Sequence, residues 1–244
     1  MLLMDVGHTR IKWVCSGAGC LSAQVAFPYK ADRLKEQLRE QLKNVSPSLD
    51  VYIACVADRD IRLRIQDWFD NEWQGNVFFA QSQVMQAGVQ NGYDDPLQLG
   101  VDRWLAMLAA YEKYKSAVCV IDCGTAVTFD IVDNEGMHLG GLIIPGLDMM
   151  HSALISGLDF DVDGRELRQV LARNTGDAIF NGCLEITLSG LAGLYRRYAE
   201  QLPGLRCLVT GGDAQQLLEY LAGDCELMTD LVLDGLKIYA EAMC

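Results

Sequence analysis

The residues best suited to chemistry lie in Asp122-Cys123-Gly124-Thr125-Ala126, which closes the apolar run 117–121 and leads into Val127-Thr128-Phe129-Asp130. A carboxylate at the end of an apolar strand is costly to bury unpaired, the glycine lets the chain turn, and Thr125 and Thr128 offer hydroxyls beside exposed amides. Acid, glycine and hydroxyl so arranged suit a phosphate carried with a metal ion. The same pattern opens the chain, where Leu2-Leu3-Met4 runs into Asp5-Val6-Gly7-His8-Thr9-Arg10-Ile11-Lys12. Asp5 matches Asp122, and Gly7 matches Gly124. One acid and glycine at a hairpin turn is a common structural feature, but two copies, each between apolar strands, point to a duplicated domain with two phosphate loops facing one cleft. Neither copy has the Gly-Lys-Ser/Thr ending that opens a helix in a Walker loop.

A third cluster lies between them, in Asn91-Gly92-Tyr93-Asp94-Asp95-Pro96-Leu97-Gln98-Leu99-Gly100-Val101-Asp102-Arg103-Trp104. As plain structure this is a loop and a helix N-cap, with Asp102 favourable at the positive end of the helix dipole. As chemistry, an acid next to an arginine at a helix start holds an anionic substrate while presenting a carboxylate base. The residues alone leave both open.

The elements that must position these clusters read as α/β. After the first hairpin come a strand over 21–27, a helix over 31–42 with Leu34, Leu38 and Leu42 at helical spacing, and a strand over 50–56. An amphipathic helix over 58–69 and a short strand over 77–79 follow. Buried strands separated by helices mark a parallel sheet. The second half repeats the scheme: strands over 117–122, 126–132 and 137–144, then Gly140-Gly141-Leu142-Ile143-Ile144-Pro145-Gly146 and a helix over 147–155. Asn174-Thr175-Gly176-Asp177 caps a long helix reaching Tyr198, and a strand over 206–210 ends in Thr210-Gly211-Gly212-Asp213. A glycine pair there leaves bare backbone for a base or ribose. The last helix spans 230–243. A boundary near Lys115 divides the chain into domains 1–115 and 116–244.

Composition limits the partners. Half the residues are hydrophobic and 22% charged, as in an ordinary globular protein, and the net charge of −13 disfavours nucleic acid and anionic membrane. The nine cysteines contain no C-x-x-C pair, and those inside apolar strands, such as Cys55 and Cys119, behave as small hydrophobes. No signal peptide precedes Asp5 and no apolar run is long enough to cross a bilayer, so the expected setting is the reducing cytoplasm and the expected partner a small molecule.

The motifs taken together resemble those of the type III pantothenate kinases, in the acetate and sugar kinase, Hsc70 and actin superfamily, over nearly the whole chain. The family's Asp-x-Gly-Asn-Thr is similar to Asp5-Val6-Gly7-His8-Thr9, with His8 in place of the usual asparagine. Its tyrosine and proline ahead of Gly-x-Asp-Arg are similar to Tyr93, Pro96 and Gly100-Val101-Asp102-Arg103. Its Asp-x-Gly-Thr-Ala is matched at Asp122 to Ala126.

The resemblance implies two ribonuclease-H-like (actin-like ATPase) domains with the active site in a cleft between them, and ATP-dependent phosphorylation of pantothenate. It implies Asp102 as the base; Tyr93, Gly100, Val101, Asp102, Arg103 and Thr175 around pantothenate; and Asp5, Val6, Gly7, His8, Thr9, Arg10, Ile11, Lys12 and Thr125 on ATP. It further implies Mg²⁺ at Asp5, potassium or ammonium at Asp122, and a homodimer. Another small-molecule kinase of the superfamily would keep both phosphate loops without Gly100-Val101-Asp102-Arg103, and a non-catalytic regulatory protein would be expected to lose Asp102 or one loop.

Overall fold

The computed structural model describes residues 1–17, 20–21, 23–158, 171–218 and 225–243. Two compact units divide the chain: residues Met1–Glu112 with Asp230–Cys244, and residues Lys113–Thr229.

In the first unit, β1 (Leu2–Val6) pairs antiparallel with β2 (Arg10–Gly17), which also pairs antiparallel with β3 (Cys20–Leu21) and β4 (Val25–Pro28). On its other side β1 runs parallel to β5 (Val51–Cys55), and β5 runs parallel to β6 (Val77–Phe79). Helix α1 (Leu34–Leu42) buries Leu34, Leu38 and Leu42, as their spacing requires. Helix α2 (Arg59–Glu72) starts where the Asp58 carboxylate accepts from the Ile61 amide at 2.9 Å, and it buries Ile61, Ile65, Trp68 and Phe69. A short hairpin, β7 (Met85–Gln86) and β8 (Val89–Gln90), follows. Helix α3 (Val101–Tyr114) buries a continuous run from Arg103 to Tyr111, the pattern of a helix enclosed on all sides.

The second unit repeats the plan. Strands β9 (Val118–Cys123), β10 (Ala126–Val132) and β11 (His138–Pro145) are antiparallel neighbours, and β9 runs parallel to β12 (Arg206–Thr210), which runs parallel to β13 (Cys225–Leu227). The sheet order is β11-β10-β9-β12-β13, against β2-β1-β5-β6 with β4 outside β2 in the first unit. The duplication expected from the two acid-glycine loops is therefore present in the topology. Helices α4 (Leu147–Leu158) and α5 (Thr175–Gln201) follow β11, and α6 (Ala214–Leu218) follows β12. The core joins Cys119, Ile121 and Cys123 of β9 to Phe180, Leu184, Leu188 and Leu191 of α5.

Some expectations require correction. The last helix, α7 (Leu231–Glu241), belongs to the first unit and not to a C-terminal domain running from residue 116. Its buried face, with Leu231, Leu233, Leu236 and Tyr239, packs against β1, β2 and β5. Gly235 rests so closely on the Leu105 carbonyl that a Cβ there would overlap it. The strand expected over 21–27 is two short strands, β3 and β4. Helix α5 is also long and apolar enough, by length and composition, to cross a membrane, with mean hydropathy 1.2 in its most apolar 18-residue stretch. Interspersed polar residues hid this from a search for unbroken runs. Its apolar face at Phe180, Cys183, Leu184, Leu188 and Leu191 lies in the core of the second unit.

Candidate active site

The first loop follows directly from the β1–β2 register. Asp5 faces Lys12 across the hairpin and Ala54 across the parallel pair, so it is the last-but-one residue of its strand. The turn closes through the Gly7 amide on the Arg10 carbonyl at 3.0 Å. The Tyr29 hydroxyl donates to the Gly7 carbonyl at 3.0 Å, while the Tyr29 amide donates to the Thr9 carbonyl. Burial, with Cys55 and Asp58 nearby, raises the Tyr29 phenol above its ordinary pKa and keeps it a donor. Among the described residues the backbone amides of His8 and Thr9 have no protein partner, leaving two N–H groups for an anion at the loop tip. The side chains of His8, Thr9 and Arg10 are exposed and that of Lys12 is half-buried, whereas Val6 and Ile11 lie wholly in the core. Val6 and Ile11 can thus touch a nucleotide only through their backbones.

The second loop has the same relationship one residue shorter. Asp122 faces Thr128 across the hairpin and Thr210 across the parallel pair, and the Gly124 amide closes the turn on the Ala126 carbonyl at 3.0 Å. Two neighbouring segments hold it. The Gly146 amide donates to the Thr125 carbonyl at 3.0 Å, and the Asp213 amide donates to the Cys123 carbonyl at 2.9 Å. Gly146 and Gly211 both approach the loop so closely that a Cβ on either would overlap its carbonyls. The Cys123 thiol is pushed well above its ordinary pKa, first by burial and then by the Asp122 and Asp213 carboxylates. Thr125 is exposed at the tip.

The acid-arginine segment folds back on itself. The first helical bond of α3 runs from the Trp104 amide to the Gly100 carbonyl at 3.0 Å, so the cap position falls on Gly100 and Asp102 lies inside the first turn. The half-buried Asp102 carboxylate accepts from the Arg103 amide at 2.8 Å. It bends over Gly100, where a Cβ would stand 2.7 Å from Oδ1. Val101 is buried and Arg103 is only 6% exposed. The Arg103 guanidinium donates from Nη1 to the Tyr93 hydroxyl at 2.7 Å, with its carbon 5.6 Å from the ring centre. The Arg103 guanidinium and the Tyr93 phenol thus meet within the first unit, with the Asp102 carboxylate on the adjoining residue. Thr175, expected beside them, is exposed at the first position of α5 in the second unit, where Asn174 caps the helix by accepting from the Asp177 amide.

One contributor escaped the sequence: Tyr29, which braces the Gly7 carbonyl, is far from the first loop along the chain. Gly146, which the sequence left open between a turn and a close approach, closes on the second loop.

Two sheets of one topology, each with a carboxylate followed by a glycine turn at the end of its first strand, define a duplicated α/β fold of the actin and sugar kinase type. Among solved structures the fold is shared with the ethanolamine utilization protein EutJ from Carboxydothermus hydrogenoformans (TM-score 0.57, 10% identity, 98% of this chain and 89% of that one). It is shared also with MreB 5 of Spiroplasma citri bound to AMPPNP (TM-score 0.54, 11% identity, 99% and 96%). These likenesses concern the fold alone. The family model for type III pantothenate kinase matches residues 1–197. Proteins named type III pantothenate kinase from Nitrosococcus oceani and Aromatoleum aromaticum are 34% and 35% identical, covering 99% and 98% of this chain and 94% and 97% of their own lengths. The chain belongs to the type III pantothenate kinase family.

Proposed function

We propose that this protein transfers the γ-phosphoryl group of ATP to the primary hydroxyl of pantothenate, giving 4′-phosphopantothenate in the first step of coenzyme A biosynthesis. The observation that carries the assignment is the Asp102–Arg103–Tyr93 constellation in the segment that departs from a generic kinase. Asp102 takes the proton as the hydroxyl oxygen attacks phosphorus, and ADP leaves from the opposite side. Arg103, held by Tyr93, meets the substrate carboxylate with a planar fork that suits it. Gly100 and Val101 shape the floor beneath the base, and Thr175 contributes a hydroxyl.

The loop from Asp5 to Lys12 and Thr125 face the ATP phosphates, chiefly through backbone amides. No group of three or more His, Cys, Asp or Glu side chains suited to a metal ion occurs among the described residues. Mg²⁺ keeps its waters and takes one or two carboxylates besides the substrate phosphates. Asp5 supplies a hard oxygen for it, and Asp122 does the same for potassium or ammonium. These cations would neutralise phosphate charge in the transition state.

We further place the enzyme in the cytoplasm as a homodimer. In the second unit the edge strand β11 exposes Leu142 and Ile143, and Met149, Leu154 and Ile186 of α4 and α5 are exposed as well. Ile143 is 60% and Ile186 74% exposed, and exposed apolar side chains on an edge strand and on the helices after it favour a second copy.

A panel of alcohols supplied with ATP and Mg²⁺ tests the assignment. Pantothenate should be phosphorylated and sugars and glycerol should not. A sugar turned over with higher kcat/KM than pantothenate would overturn it.

A further inference from the structure

Asn91 is 7% exposed and stands at the foot of the loop that carries Tyr93. All arms of its side-chain amide are engaged. Nδ2 donates to the Gln83 carbonyl at 3.1 Å and to the Pro96 carbonyl at 3.2 Å, while Oδ1 accepts from the Tyr93 amide at 3.0 Å. Its own backbone amide is tied to the Val84 carbonyl at 2.9 Å. The amide orientation follows from these partners, because a flipped side chain would set Oδ1 against two carbonyls and Nδ2 against an N–H. One side chain therefore pins both ends of the short segment from Tyr93 to Pro96 onto Gln83. Without Asn91 the Tyr93 amide and the Pro96 carbonyl lose these bonds, and the place of the Tyr93 ring beside Arg103 is less firmly set.

We propose that Asn91 is a positioning residue for the acceptor substrate: it sets the Tyr93 hydroxyl at hydrogen-bonding distance from the Arg103 guanidinium, and so aims Arg103 at the substrate's carboxylate. This rests on the assignment of Tyr93 and Arg103 to pantothenate binding. Asn91 itself touches neither substrate nor reacting atoms. An aspartate of the same shape would not serve, since its carboxylate would keep the bond from the Tyr93 amide but face the Gln83 and Pro96 carbonyls with no donor. A structural role alone would lower stability without distinguishing one substrate from the other. A positioning role acts on the acceptor and spares the nucleotide, whose loops lie elsewhere in the sequence.

The test compares Asn91→Ala, Asn91→Asp and the milder Asn91→Ser with wild type, measuring kcat, both Michaelis constants and the melting temperature. Asn91→Ala and Asn91→Asp should raise KM for pantothenate about 10-fold, the worth of roughly one lost buried hydrogen bond. KM for ATP should stay within about 2-fold. A folded variant with unchanged KM for pantothenate overturns the proposal, as does an equal rise in both constants. Should Asn91→Ala and Asn91→Asp fail to fold, Asn91→Ser decides, and its failure to fold as well would make the role purely structural. Arg103→Lys and Tyr93→Phe are run beside them. If both leave KM for pantothenate unchanged, the assignment of the carboxylate site has failed, whatever Asn91 does.

Discussion

Gly211 lies against the carboxylate of Asp122: a Cβ at position 211 would stand 2.5 Å from Oδ1 and would also overlap the Cys123 carbonyl. Its φ of +102° is one that side chains rarely adopt. The glycine after β12 is therefore required by the neighbouring loop from Asp122 to Ala126, whatever that loop binds. Gly211→Ala should destabilise the protein by about 1–3 kcal/mol and raise KM for ATP severalfold as the loop is displaced. Urea midpoints and initial-rate kinetics check both, and wild-type values for each would show that the loop relaxes without cost.

Asp102→Asn should fold as the wild type does and lose about 10²–10⁴ in kcat, the usual worth of a general base. Circular dichroism and turnover at saturating substrates decide it. Near-normal turnover would leave Asp102 only its place at the positive end of α3.

Activity should depend on a monovalent cation through Asp122. Replacing potassium by sodium should slow the wild type, and Asp122→Asn should abolish the difference. Equal rates in the two salts at constant ionic strength would remove the cation from Asp122 and leave that carboxylate to Mg²⁺.

The first loop should be sensitive to its brace more than to its tip. Tyr29→Phe deletes the hydroxyl that holds the Gly7 carbonyl, and KM for ATP should rise about 3- to 10-fold. His8→Asn exchanges an exposed ring for the residue usual in the family and should change that constant less than about 3-fold. The opposite ranking would give the His8 ring a direct part in phosphate binding.

Three cysteines lie in register across the second sheet, with Cys207 opposite Cys119 and Cys225. The Cys225 thiol donates to Cys207 at 2.8 Å. The hydrogen bond Cys207 shares with Cys119, together with burial, raises its pKa well above the ordinary 9.0, although the bond from Cys225 opposes the shift. The folded state therefore holds this proton more tightly than the unfolded chain. That contribution is complete below the unfolded pKa and is lost as pH rises above about 9 toward the folded value. Unfolding free energy should fall more steeply between about pH 8 and pH 10.5 in wild type than in Cys207→Ala. Parallel slopes would show that Cys207 ionises as easily in the native protein as in the unfolded one.

The α/β class, the duplicated acid-glycine loops and the acid-arginine segment were legible in the sequence, because each depends on local rules. Apolar runs ending at a turn make strands, Leu34, Leu38 and Leu42 recur with the helical period, and Asn174 before Thr175 stops and starts the chain where an N-cap must. Residue type and place suggested that Asp5 and Asp122 carry chemistry, since a carboxylate at the end of an apolar strand needs a reason to be there, whereas the residues alone left Asp102 open between a helix cap and a base.

Other assignments depended on which distant segments meet. The sequence could not return α7 to the first unit, because its apolar face fits any sheet until β1, β5 and the Leu105 backbone receive it. Nor could it show that Val6 and Ile11 turn into the core, that Tyr29 braces Gly7, or that Gly146 and Gly211 exist to let two other segments close on the second loop. Those facts follow from long-range packing, in which a side chain's role is set by the groups brought against it, and short-range periodicity carries no record of that meeting.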